Sequence, residues 1–83
     1  MARGRKSRKR LAWRADQTVW VLDPKTRRWH LATVVRDVLR GDDSCLVSYT
    51  HSKGERIVFI SVGRQAWGEH LRRYDRRPTA AIA

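Results

Sequence analysis

From Thr18 to Val62 the chain is a succession of short runs rich in β-branched and aromatic residues, separated by turn-forming clusters. That pattern constrains the fold more than any other feature, because such runs form strands and such clusters reverse the chain. Thr18–Asp23 predicts a first strand, and Asp23-Pro24-Lys25-Thr26 a turn whose proline pre-sets φ at its second position. Trp29–Leu39 predicts the longest strand; apolar or small on both faces, it suits a strongly bent strand shared by two sheets. Ser44–Thr50 and Arg56–Val62 follow as a hairpin across His51-Ser52-Lys53-Gly54. From Gly63 to His70 the period of two is lost, and Arg64–His70 predicts one helical turn before a last short strand at Leu71–Tyr74.

Four to five short antiparallel strands, with one helical turn before the last, make a small all-β barrel. That order suits an SH3-like barrel; an OB-type barrel needs longer strands and usually more chain. With 83 residues there is room for one domain and a modest core.

The net charge of +11 is unevenly spread. Residues 1–15 carry seven basic groups and no acid, and residues 72–83 carry four basic groups against one acid. Residues 16–71 hold eight basic and seven acidic groups. The positive charge therefore lies in two arms around a nearly neutral body. We expect residues 1–15 to be a disordered basic arm, 16–75 the barrel, and 76–83 a basic, flexible tail.

These arms point to DNA or RNA as partner, through the phosphate backbone. In the N-terminal arm the candidate contacts are Arg3, Arg5, Lys6, Arg8, Lys9 and Arg10. Each neutralised phosphate releases condensed counterion, so binding through six or seven such contacts falls steeply with salt. Arg3-Gly4-Arg5-Lys6 also resembles an AT-hook arm, although the flanking prolines are missing. A nuclear-localisation signal, an anionic-membrane patch and a solubilising tail are plainer readings of the same run. Lys25, Arg27 and Arg28 put cations on the first turn, at a barrel rim. Arg72 and Arg73, with Arg76 and Arg77, do so at the last strand, where Arg72 and Tyr74 share one face. An arginine beside a tyrosine suits a phosphate and a stacked base; it equally suits an edge strand guarded by charge.

Val19-Trp20-Val21, Trp29-His30-Leu31-Ala32-Thr33-Val34, Cys45-Leu46-Val47-Ser48-Tyr49 and Ile57-Val58-Phe59 together resemble a Tudor domain, in the wider Tudor, agenet and chromo-barrel group of chromatin modules. The likeness covers roughly residues 17–62. It implies an SH3-like barrel and a reader of methylated lysine or arginine in a histone tail, holding the cation against aromatic faces. By motif match the cage positions are Trp20, Trp29 or His30, Tyr49 and Phe59. Trp29 and Phe59 also suit a barrel core, and the acid that commonly follows the third-strand aromatic is here Thr50. Val19–Lys25 also resembles the SH3-like subdomain at the start of myosin heavy chains, and His70–Tyr74 the end of the SH3-like C-terminal domain of retroelement integrases. Those likenesses imply a structural subdomain of a larger protein.

Catalysis finds no footing in this sequence. His30, His51 and His70 are scattered, without zinc-ligand spacing, and no nucleophile–base set or glycine-rich phosphate loop stands out. We expect no enzyme, metal or cofactor. Cys45, the single cysteine, lies mid-strand and suits a small buried hydrophobe. No apolar run approaches the length of a membrane span. The expected setting is a reducing intracellular compartment, nuclear in a eukaryote, and the expected state of the isolated domain a monomer.

Overall fold

A computed structural model describes residues 10–51, 56–79, 81 and 82. The protein is all-β, and the described residues form seven strands in two antiparallel sheets. The strands are β1 (Leu11–Trp13), β2 (Thr18–Asp23), β3 (Arg28–Val34), β4 (Val38–Leu39), β5 (Ser44–Thr50), β6 (Ile57–Gly63) and β7 (Leu71–Arg73). The five-stranded sheet runs β6-β5-β3-β2-β7, and β1 pairs with β4 in a separate ribbon. A 3-10 turn, Arg64–Ala66, precedes β7, as the loss of period two predicts. Among the described residues no helix is long and apolar enough to cross a membrane.

Two differences from the sequence-based expectation concern the ends of the body. The long strand predicted at Trp29–Leu39 is broken at Val35–Asp37. Its first part stays in the main sheet; its second part, β4, leaves to pair with β1, with Trp13 opposite Val38 and Leu11 opposite Leu39. Asp37 fixes the break, since its Oδ1 accepts the Ala15 amide at 2.8 Å and ties the corner to the chain entering β2. The basic arm is also shorter than expected. Leu11–Trp13 are a strand, and Trp13 is buried in the core, so the folded body starts beside Arg10 rather than at residue 16. Within the arm, residues 1–9 lie outside the described residues.

The core fills the inner face of the main sheet. Val19 and Val21 of β2, Ala32 and Val34 of β3, Cys45, Val47 and Tyr49 of β5, Val62 of β6 and Leu71 of β7 pack together, closed by Trp13 and Val38 from the ribbon. Val19, Val21, Val34, Cys45, Val47 and Leu71 are fully enclosed. Burying one such aliphatic side chain contributes about 1.5–3 kcal/mol before entropy is counted. Because side chains alternate along a strand, this core sends Trp20 to the outer face. Trp29 lies on that face too, as the register Leu22↔Trp29 and Trp20↔Leu31 requires.

Candidate nucleic-acid interface

The β2–β7 pairing brings the last strand beside the segment that leads into β2. Arg73 lies opposite Val19, near the start of β2, where the chain arrives from β1. The approach is held by a tight turn: the Arg14 amide donates to Gln17 Oε1 at 2.8 Å, and the Gln17 amide to the Arg14 carbonyl at 3.1 Å. Arg10, Leu11, Ala12, Arg14, Gln17 and Arg73 therefore line one groove of about 370 Å³. Three arginines line it, two from the N-terminal side of the body and one from the last strand.

Two further depressions adjoin this groove through Arg73. One, of about 640 Å³, is formed by Gln17, Thr18, Leu31, Arg73, Tyr74 and Asp75. Its Tyr74 side chain is 60% exposed, leaving ring surface open to a planar partner. The other, of about 660 Å³, sets Arg72, Arg73 and Arg76 beside Trp67. On the opposite side Arg10 also borders a pocket with Arg40. The cationic surface thus runs from Arg40 through Arg10 and Arg14 to Arg73 and Arg76.

Arg14 and Arg40 belong to this surface although the sequence did not single them out. Arg14 counted only towards the charge of the arm, and Arg40 is set near Arg10 by the pairing between β1 and β4, where the Arg40 amide donates to the Arg10 carbonyl at 3.1 Å. Lys25, Arg27 and Arg28 are exposed but sit at the far end of β2, roughly 17 Å from Thr18 at strand rise. They do not join the groove. Arg27 instead has a structural task, because its positive φ of 62° lets its amide reach the Asp23 carbonyl at 2.7 Å and close the turn. Arg3, Arg5, Lys6, Arg8 and Lys9 lie outside the described residues.

The proposed cage aromatics do not surround one pocket. Tyr49 points into the core, whereas Trp20 and Trp29 are on the outer face. Phe59, opposite Ser48, is on the outer face of β6 and 60% exposed. Trp20 and Trp29 are nonetheless buried, and their cover is the chain's own C-terminal segment. Arg77 lies over the Trp20 ring at 5.9 Å and Arg72 over the Trp29 ring at 5.0 Å. Within the segment assigned to the tail, Pro78 is buried and Ile82 bridges to Trp29.

Inside the barrel, Tyr49, His30 and Asp23 form a polar cluster. The Tyr49 hydroxyl donates to Asp23 Oδ2, and His30 stacks on the Tyr49 ring at 4.0 Å. Burial pushes the Asp23 pKa up, but hydrogen bonds from Tyr49 and from the Lys25 and Thr26 amides outweigh it and hold the carboxyl below its ordinary value. Burial lowers the His30 pKa against the opposing pull of Asp23. Burial, and then the bond to Asp23, push Tyr49 up to about 12. Cys45 is fully buried and its thiol is pushed up to about 11, which keeps it protonated and unreactive. No group of three or more His, Cys, Asp or Glu with metal-binding geometry occurs among the described residues. No family model matches the chain, and no curated protein or solved structure matches it.

Proposed function

We propose that the protein is a non-enzymatic nucleic-acid-binding module, working in chromatin or on free nucleic acid, that grips the phosphate backbone where β7 lies beside the segment leading into β2. The observation that carries this reading is the shared groove of Arg10, Arg14 and Arg73. Arg3, Arg5, Lys6, Arg8 and Lys9 precede Arg10 in the sequence and add five more cations to the segment that enters this groove. The division of labour within the surface follows from charge. Asp75 borders the Tyr74 depression and repels a phosphate there, so the phosphates take the arginine groove and the neutral base or sugar takes the tyrosine ring. The strand order and the 3-10 turn before β7 support an SH3-like barrel as the scaffold.

Fluorescence anisotropy with labelled duplex and single-stranded oligonucleotides, titrated with salt, tests the reading. Three or more phosphate contacts give a log–log slope of about −2 to −3 or steeper. Affinity for both substrates that barely changes between low and physiological salt overturns it. Tighter binding to the single strand supports a stacked base on Tyr74.

A further inference from the structure

The outer face of β2 and β3 carries a groove whose occupant is already in place. Beyond β7 the chain turns, with the Arg76 amide donating to the Arg73 carbonyl at 2.9 Å, and crosses the outer face of the sheet. There the Trp20 indole Nε1 donates to the Tyr74 carbonyl at 3.1 Å, and the Arg77 guanidinium stacks over the same ring. Pro78 is buried. Among the described residues β3 pairs with β5 only at Thr33↔Ser48 and Val34↔Val47, which leaves the backbone edge of its first half open to another strand. The tail takes that edge: the Trp29 amide donates to the Ala81 carbonyl at 2.7 Å, and Trp29 and Ile82 form a parallel bridge.

Each contact is of a kind that recognises a peptide in trans. A backbone edge supplies hydrogen bonds to any extended chain, and aromatic pockets select its side chains. An indole face selects a guanidinium. Trp20 and Trp29 stand outside the core cluster, so covering them is separable from building the core. We infer that this face is a peptide-binding groove, held closed in cis by the tail, for an extended ligand with an Arg-Pro step and an aliphatic residue four positions after the proline. The inference does not depend on nucleic-acid binding, since it uses the side chains of neither Arg10, Arg14 nor Arg73.

The test uses the full chain and a synthetic peptide of residues 74–83. In the full-length double variant Arg77→Ala/Ile82→Asp the strap loses both anchors while the sheet keeps its sequence. Tryptophan fluorescence should report peptide binding about tenfold tighter to this variant than to the native chain, whose tethered tail competes at an effective concentration in the millimolar range. A peptide carrying Arg77→Ala should bind roughly three- to tenfold more weakly than the native peptide, the loss of one cation–π contact. In the native chain the Trp29 amide should exchange by local opening, faster than the Val34 amide bonded to Gln17. Equal exchange of the two amides, a variant that fails to fold, or a folded variant that ignores the peptide overturns the inference.

Discussion

The Tyr49 hydroxyl on β5 donates to the Asp23 carboxylate on β2 at 2.5 Å, and the bond spans the intervening strand β3 inside the barrel. Asp23 is buried and also accepts the Lys25 amide at 2.8 Å, so one carboxylate fixes both the first turn and Tyr49 of β5. Removing the hydroxyl leaves a buried carboxylate oxygen without its partner. Tyr49→Phe should cost about 1–3 kcal/mol, which for a domain of this size lowers Tm by roughly 4–8 °C per kcal/mol. The pH profile separates this bond from general packing. Asp23 is held below its ordinary value, so its contribution is complete above the unfolded carboxylate pKa and lost as pH falls through the folded one. Tyr49 is raised from 10.0 to about 12, so its contribution is complete below 10 and lost as pH rises toward 12. Thermal melts across pH should show both losses in the native chain, whereas Tyr49→Phe should lose the alkaline contribution of this residue. An unchanged alkaline limb would refute the assignment.

His30 stacks on Tyr49 with an interplanar angle of 12°, and its Nε2 is buried without a hydrogen-bond partner. Burial keeps the folded pKa below the ordinary value of 6.5. Stability from this residue is therefore present above the unfolded pKa and declines as pH falls from about 6.5 through the folded value. His30→Phe retains the stacked ring and removes both the orphaned nitrogen and the titration. Its Tm should exceed that of the native chain most at pH 5 and least at pH 8. The opposite trend would mean that His30 is protonated in the fold and paired with Asp23.

The strands were legible wherever a single period and a single turn governed them. Thr18–Asp23 and Ser44–Thr50 are the predicted strands residue for residue: the first is a β-branched and aromatic run stopped by Pro24, and the second alternates between a buried and a more open face. The outer-face tryptophans were not legible. Alternation correctly separates Trp20 from Val19 and Val21, but no local pattern tells whether a tryptophan on the second face meets solvent, a ligand or another part of the chain. Here it meets Arg77 and Tyr74, more than fifty residues later. The break at Val35–Asp37 was hidden for a related reason: Val38 is apolar whether it continues a strand or starts a new one against Trp13. The arginine groove was half legible. Charge in the two arms was evident, but only the β2–β7 register makes Arg14 and Arg73 neighbours.

If the groove binds phosphate, its arginines contribute through counterion release and not through sequence readout. Arg73→Ala and Arg14→Ala should each weaken nucleic-acid binding similarly on unrelated sequences and reduce the salt slope by about 1. Arg28→Ala, at the far end of β2, should leave the slope closer to native. Tyr74→Ala should leave the slope unchanged while weakening single-strand binding by about 1–3 kcal/mol, the usual contribution of one stacked base. Anisotropy titrations at four salt concentrations distinguish these effects; a slope change for Arg28→Ala equal to that for Arg73→Ala would shift the interface to the first turn.

Trp13 and Trp67 meet edge to face, with centroids 6.1 Å apart and an interplanar angle of 85°. They join β1 to the segment before β7. Their indole nitrogens differ, however. Trp67 Nε1 donates to the Val62 carbonyl at 3.0 Å, whereas Trp13 Nε1 is buried with no partner. Trp13→Phe therefore removes an unsatisfied donor along with some apolar volume, and the two changes offset. Trp67→Phe removes a made hydrogen bond and should cost about 1 kcal/mol more than Trp13→Phe. Trp13→Ala opens a cavity under β1 and should cost about 3–5 kcal/mol, a large fraction of what holds a domain this small together. Urea unfolding midpoints for the three variants provide the order. If Trp13→Phe is the more damaging of the two phenylalanine variants, the Trp13 nitrogen has a partner in solution, and the entry of the arm is built differently from the packing described above.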